Sequence, residues 1–152
     1  MTEPSRYFED LEIGEKHTSS KLAVTRDEIV DFASKYDPQY FHMDPDKAES
    51  HPQFGEVVAS GIHILALWRQ LDHEITGDVR WICGIEWEKL RWNKPLRAGD
   101  EVRARAELLE KRPSRSQPER GIVVYRYSLL NQDDEEVFYC LSTNLVERRV
   151  DV

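Results

Sequence analysis

An acid and a histidine stand five residues apart in the segment 36–44, which reads YDPQYFHMD. The carboxyl group of Asp37 and the imidazole of His42 can exchange protons near neutral pH, which is the chemistry of a general acid–base pair. This spacing alone is weak evidence, because an aspartate and a histidine at this distance often occur by chance. The structural alternative is that Asp37 ends a helix and His42 forms a hydrogen bond within its loop.

A second stretch with possible chemistry ends in Ala59, Ser60 and Gly61, just before an apolar segment. The first amides of a helix lack intrahelical acceptors and carry a partial positive charge. A glycine there lets a ligand oxygen come close to the backbone. The pattern therefore indicates an oxyanion hole, a site that stabilises charge growing on a carbonyl oxygen. The structural alternative is that Ser60 caps the helix and Gly61 permits tight packing.

Helix signals flank both stretches. Residues 25–28 (TRDE) form a capping box, and the helix that they begin should end before Asp37, because the residue before a proline disfavours the α region. Residues 44–50 predict a short helix with an aspartate cap and a proline at its first position. Residues 60–75 are apolar most of the way round, which predicts a main helix that is buried on nearly all sides.

After residue 78 the sequence becomes rich in β-branched and aromatic residues, separated by turn signals. Strands that follow helices favour an α+β fold with an antiparallel sheet. A buried helix and one long sheet fit together if the sheet curls around the helix. The predicted architecture is a single hotdog fold, with a curled antiparallel sheet of about five strands around a long central helix. The predicted strands are residues 16–24, 79–93, 99–112, 120–131 and 136–149.

The length suits a single domain over residues 1–152, with an extended N-terminal lead-in at residues 1–14. A net charge of −8 argues against binding to nucleic acid or to anionic membranes. Cys83 and Cys140 have no metal-ligand spacing, and we expect neither a metal nor a cofactor. The N-terminus lacks the apolar region of a signal peptide and no apolar run is long enough for a bilayer, which predicts a cytoplasmic protein.

Taken together, the two stretches resemble the MaoC-like dehydratases and R-specific enoyl-CoA hydratases. These proteins carry an Asp-x-Asn-Pro-x-His-x-Asp loop, followed by Phe-Gly and by a His-Gly turn into the central helix. The sequence has Asp37, His42 and Asp44 at the matching positions, and then the pairs Phe54-Gly55 and Ser60-Gly61. Residues 7–11 and 94–100 also resemble the family, so that the likeness extends over about residues 6–149.

Three residues depart from the family pattern. Gln39 stands in place of the asparagine, Tyr40 in place of the following proline, and Ser60 in place of the histidine before the glycine. The acid, the histidine and the glycine remain in place. The resemblance implies that Asp37, His42 and Gly61 are catalytic, and that the substrate is bound by Gln39, Phe54, Gly55 and Ser60.

The resemblance also implies the reversible hydration of a trans-2-enoyl thioester, of coenzyme A or of acyl carrier protein, to a 3-hydroxyacyl thioester. We assign His42 as the base that takes a proton from water, Asp37 as the group that orients that water and helps to return a proton to carbon 2, and the Gly61 amide as the donor to the carbonyl oxygen. The sequence leaves open which of Asp37 and His42 is the base and which is the acid. Two alternatives remain open: a hotdog acyl-CoA thioesterase and a non-catalytic module that binds acyl thioesters. Because a single sheet leaves unpaired edges, we expect a homodimer or a larger assembly of dimers.

Overall fold

The computed structural model describes residues 3–149, which form one antiparallel sheet and a set of helices on its inner side. The helices are α1 (Arg26–Tyr36), α2 (Tyr40–Met43), α3 (Pro45–Ala48) and α4 (Gly61–Thr76). The strands are β1 (Lys16–Thr18), β2 (Leu22–Ala23), β3 (Trp81–Trp92), β4 (Glu101–Pro113), β5 (Arg120–Leu130) and β6 (Glu136–Glu147).

The strands follow the order β1-β4-β5-β6-β3, and β2 pairs separately with β4. The sheet therefore has six strands within the described residues, where the sequence predicted about five. The predicted first strand is divided because Ser20 leaves the ladder: its amide and hydroxyl bind the Glu74 carboxylate at 3.0 and 2.8 Å. The long strand β3 lies at the opposite edge from β1.

The sheet curls around α4, and breaks in strand register help it to do so. Three register shifts lie between β3 and β6, and one lies between β4 and β5. Such bulges bend a strand and increase its twist. Trp68 of α4 is fully buried on the inner face, with its ring 5.0 Å from that of Tyr127 and 5.2 Å from that of Phe138. The prediction of burial on nearly all sides of α4 was wrong, because Ile62 on its outward face is 54% exposed.

The segments that precede the site begin as the sequence predicted. Thr25 and Glu28 form the capping box of α1, and Asp44 caps α3 through the Lys47 amide. The segment at 3–14 contains a turn of 3-10 helix at Phe8–Asp10 and a second turn at residues 13–14, while residues 1–2 of the predicted lead-in lie outside the described part. The segment that carries the histidine is not an irregular loop throughout, since residues 40–43 form the helical turn α2.

Candidate active site

Asp37 ends α1, and its carboxylate accepts two hydrogen bonds. The Ser60 hydroxyl donates to Oδ2 at 2.6 Å, and the Gln39 amide donates to Oδ1 at 2.9 Å. The Ser60 bond, followed by the Gln39 bond, lowers the pKa of Asp37 below its usual value. Both donors are neutral, so the carboxylate is ionised at neutral pH and retains its full negative charge.

His42 lies on α2 and is buried, and a backbone carbonyl determines which of its nitrogens carries the proton. Its Nδ1 lies 2.6 Å from the carbonyl oxygen of Val58. A carbonyl oxygen can only accept, so Nδ1 must donate, and in the neutral ring Nε2 is left with its lone pair. Nε2 lies 3.7 Å from Oδ2 of Asp37. That distance is too long for a hydrogen bond, and a water that contacts both atoms would complete the pair.

Gly61 is the first residue of α4, directly after its Ser60 cap. The Ser60 oxygen accepts from the Ile62 amide at 3.3 Å. The Gly61 amide precedes the first intrahelical bonds and has no acceptor within the helix. Trp92 packs against this residue and donates from Nε1 to the Gly61 carbonyl at 3.2 Å. A Cβ at position 61 would lie 2.9 Å from the Trp92 ring, so any other residue here would require that ring to shift, whether or not a ligand binds.

A cavity of about 400 Å³ opens beside both His42 and Gly61. Its walls are mainly apolar and include Phe41, Phe54, Val58, Ile64, Trp92 and Pro95. Ligand pockets of this size are typically apolar with a few polar groups that fix orientation. The cavity therefore suits an apolar ligand whose polar end lies at His42 and the start of α4.

Known proteins resemble this chain in sequence and in fold. The profile of the MaoC like domain family matches residues 10–128. The chain belongs to the MaoC-like domain family. It is 35% identical over 145 residues to the uncharacterized protein YdeM of Bacillus subtilis, which covers 93% of this chain and 99% of that protein. It is also 33% identical over 100 residues to the 3-hydroxyacyl-thioester dehydratase Z of Mycobacterium tuberculosis, which covers 63% of this chain and 66% of that protein.

Similar solved structures support the same family and show the fold. The MaoC-like dehydratase from Rhodospirillum rubrum superposes with a TM-score of 0.85 at 34% identity, over 97% of this chain and 100% of that one. A Mycobacterium tuberculosis protein with a double hotdog fold superposes with a TM-score of 0.78, over 98% of this chain and 46% of that one. At 15% identity the second match shows the fold alone. The hotdog fold and the family predicted from the sequence are both confirmed.

The other residues predicted for the site of this MaoC-like domain occupy different places. Phe54 lines the cavity. Gln39 and Ser60 contact Asp37, and the structure records neither among the residues that line the cavity. Gly55 also lies outside that lining, in an exposed turn with a φ of +69° that favours glycine. The structure therefore brings three of these four residues around the carboxylate and the cavity, and places Gly55 apart from them.

The sequence did not identify Trp92 and the segment 93–95 that follows it as part of the site. The strand β3 returns antiparallel along α4, and 12 residues of strand are longer than 16 residues of helix. The end of β3 must therefore reach the start of α4. The lengths of β3 and α4 can be predicted from the sequence, whereas the packing of one along the other comes from the structure.

Within residues 3–149 no helix is long and apolar enough to cross a membrane. Across the same residues, no cluster of three or more His, Cys, Asp or Glu side chains is placed to hold a metal ion. Cys140 is buried, and burial raises the pKa of its thiol to about 12, so that it remains protonated.

Proposed function

We propose that this MaoC-like domain catalyses the reversible addition of water to a trans-2-enoyl thioester, giving a 3-hydroxyacyl thioester. One observation carries the proposal: Nε2 of His42, the ring nitrogen that is not bound to the Val58 carbonyl, faces the Asp37 carboxylate at 3.7 Å, beside the cavity that Gly61 borders. A related protein of Mycobacterium tuberculosis is named 3-hydroxyacyl-thioester dehydratase Z. Removal of water from a 3-hydroxyacyl thioester is the reverse of the proposed addition, so this name supports the proposal.

In the proposed reaction a water lies between His42 and Asp37. Nε2 takes one proton as the water oxygen bonds to carbon 3 of the substrate. The π electrons of the C2–C3 double bond then shift toward the thioester oxygen, which the Gly61 amide stabilises. The proton on His42 passes to carbon 2, and the thioester carbonyl re-forms. The hydroxyl on carbon 3 and the hydrogen on carbon 2 thus come from one water.

This scheme differs from the sequence-based mechanism at one step. The sequence assigned Asp37 a part in returning the proton to carbon 2. The lowered pKa of Asp37 makes its carboxyl group a poor proton donor at neutral pH. We therefore assign the return of the proton to His42, and we assign Asp37 the roles of orienting the water and stabilising the imidazolium by its charge.

A panel of trans-2-enoyl-CoA esters tests the function, with the loss of absorbance of the conjugated double bond as the readout. Hydration of at least one ester, and its reversal from the 3-hydroxyacyl ester, is the expected result. Release of free thiol from saturated acyl-CoA, without hydration, would instead identify a thioesterase. Ligand-dependent stabilisation with no turnover on any ester would identify a binding module. The cytoplasmic location and the choice between coenzyme A and acyl carrier protein remain predictions.

We also propose that the protein assembles as a homodimer through β3. This edge strand exposes Ile82 at 39%, Ile85 at 55% and Trp87 at 48%, and its backbone on one side has no partner strand among the described residues. Light scattering should give a mass near twice 17.9 kDa. Ile85→Lys should shift the measured mass toward that of a single chain. Ile13→Lys, at a similarly exposed site outside β3, should leave the mass unchanged. A monomeric wild-type protein at micromolar concentration would contradict this assembly.

A further inference from the structure

Two tryptophans tie strand β3 to helix α4, one at each end of the helix. The indole Nε1 of Trp81 donates to the carbonyl of Thr76, the last residue of α4, at 2.8 Å. The indole Nε1 of Trp92 donates to the carbonyl of Gly61, the first residue of α4, at 3.2 Å. The two bonds have the same chemistry, but the second ends on the residue whose amide holds the thioester oxygen in the proposed reaction.

Trp92 contacts Gly61 closely but contributes little to the hydrophobic core. It is 47% exposed, whereas Trp68 is 1% exposed. A Cβ on residue 61 would lie 2.9 Å from Cε2 of the Trp92 ring and 3.1 Å from its Nε1. Trp92 also lines the active-site cavity. The ring therefore covers one side of Gly61, at the wall of the cavity.

A break in the register of β3 directs Trp92 toward α4. Between Glu88 and Arg91 the strand has one residue more than its partner strand β6. Side chains alternate between the two faces of a strand, so an extra residue exchanges the faces for all residues that follow it. Trp87 lies on the inner face, since its ring contacts that of Trp68. Without the extra residue, position 92 would lie on the outer face, away from the helix.

The backbone is strained where this extra residue is accommodated. Lys89 has a φ of +53°, in the left-handed region that residues other than glycine seldom adopt. Such strain persists where the surrounding structure enforces it, and it is concentrated at functional sites. Bulges beside active sites often change the direction of a side chain. The bulge at Lys89 lies three residues before Trp92, and its consequence is the contact between Trp92 and Gly61.

We propose that Trp92 is a positioning residue for the Gly61 amide, and that the bulge at Lys89 turns Trp92 into place. The proposal rests on the proposed function, in which that amide stabilises the charge on the thioester oxygen. A glycine has more backbone freedom than any other residue. A hydrogen-bond donor stabilises a developing charge best when its direction is fixed before the reaction. Gly61 therefore needs an external contact that fixes it.

The structure holds both ends of the peptide group that carries this amide. At one end, the Ser60 carbonyl accepts from the Ile64 amide at 3.0 Å, and the Ser60 hydroxyl is bound to Asp37. At the other end, the Trp92 ring packs against Gly61. A helical carbonyl accepts from the amide four residues on and keeps a second lone pair. The Trp92 Nε1 binds the Gly61 carbonyl in addition to that helical bond, which limits the rotation of Gly61.

The test compares Trp92→Phe with the matched control Trp81→Phe, since each variant removes one indole N–H that donates to an end carbonyl of α4. Trp92→Phe should lower kcat per folded molecule on an accepted enoyl-CoA by about tenfold, which corresponds to about 1.4 kcal/mol. KM should change much less, because the charge on the thioester oxygen develops in the transition state. Trp81→Phe should leave kcat unchanged. A role in folding alone would lower the thermal midpoint in both variants and kcat in neither.

A pair of substitutions at Lys89 tests the bulge separately. Lys89→Gly and Lys89→Val both remove the charge, but glycine adopts a φ of +53° freely and a β-branched valine does not. Lys89→Gly should therefore retain most of kcat, whereas Lys89→Val should lower it toward that of Trp92→Phe. Equal kcat values in the two Lys89 variants would overturn the role of the bulge.

Acetoacetyl-CoA provides a readout that needs no turnover. Loss of its carbon 2 proton gives an enolate, which carries negative charge on the thioester oxygen and absorbs in the near ultraviolet. The wild-type protein should increase the enolate fraction at a given pH. Trp92→Phe should reduce that increase, and Trp81→Phe should not.

The two assays distinguish failure of the positioning role from failure of the proposed function. If an enoyl-CoA is hydrated but Trp92→Phe lowers kcat no more than Trp81→Phe does, the positioning role is overturned and the proposed function stands. If no ester is hydrated but the enolate fraction responds as expected, the proposed function fails and the positioning role stands. If no ester is hydrated and the enolate fraction does not respond, both are overturned.

Discussion

The proton transfer assigned to His42 can be removed while the contact that holds its ring is kept. His42→Asn places an amide nitrogen near the position of Nδ1, where it can donate to the Val58 carbonyl, and leaves nothing at the position of Nε2. His42→Ala would instead leave that carbonyl without its donor, and Val58 is only 2% exposed. An unpaired buried acceptor costs about 1–3 kcal/mol, so the alanine variant would mix instability with lost catalysis.

The expected size of the effect follows from the proposed role. A general base contributes about 10²–10⁴-fold to the rate, which is roughly 2.7–5.4 kcal/mol of activation free energy. Asp37→Asn is nearly isosteric and keeps an oxygen for the Ser60 hydroxyl, but it removes the negative charge beside the imidazole. If the two residues share one water, the double variant should be little slower than the slower single variant, because groups that act as a unit are not additive. If the two residues acted independently, the fold losses in rate of the two single variants would multiply in the double variant.

The assay is the initial rate on an accepted enoyl-CoA, divided by the folded fraction from circular dichroism at the same temperature. His51→Asn is the matched control: His51 stacks on Phe54 at 4.5 Å, close to the same cavity wall, and the structure gives it no contact with Asp37. That variant should keep most of the rate. A wild-type rate per folded molecule in His42→Asn, or fully multiplicative single effects, would refute the shared-water mechanism.

Three further predictions concern the surroundings of the pair. Ser60→Gly removes the hydroxyl that binds Asp37, and the loss of its capping bond costs only a few tenths of a kcal/mol. The pKa of Asp37 should therefore rise in an NMR titration, and an unchanged pKa would contradict the role of the Ser60 bond. Burial lowers the pKa of His63, so the unfolded chain binds the proton more readily and the free energy of unfolding should fall as pH drops below about 6.5. Urea midpoints of the wild type and His63→Phe should show this, and an equal decline in both would count against it. Gly61→Ala should slow hydration. Adding Trp92→Leu should relieve the contact between the new Cβ and the Trp92 ring, and should restore the thermal midpoint without restoring the rate of hydration. Full activity in that folded double variant would exclude the oxyanion role of Gly61.

The sequence predicted those parts of the fold whose signals are local. The capping box at Thr25 and Glu28 depends on four consecutive residues, and α1 begins and ends where it indicates. Contacts between distant residues carry no such local signal. The Ser60 hydroxyl reaches Asp37 across 23 residues, and Trp92 reaches Gly61 across 31. The pair of catalytic candidates could therefore be predicted from the sequence, whereas the donors that set the charge of Asp37 required the tertiary structure.

Two of the three departures from the family pattern lie beside the Asp37 carboxylate. Gln39 and Ser60, two of the three residues that differ, both donate to the Asp37 carboxylate. Neither donor carries a charge, so both favour the ionised carboxylate without neutralising it, as an arginine or lysine in the same place would. In the proposed mechanism this negative charge lies 3.7 Å from the imidazole, where it stabilises the positive charge that forms on the ring as the water gives up its proton. In the proposed mechanism, Gln39 and Ser60 thus preserve the negative charge beside the His42 base, through hydrogen bonds that end on the Asp37 carboxylate.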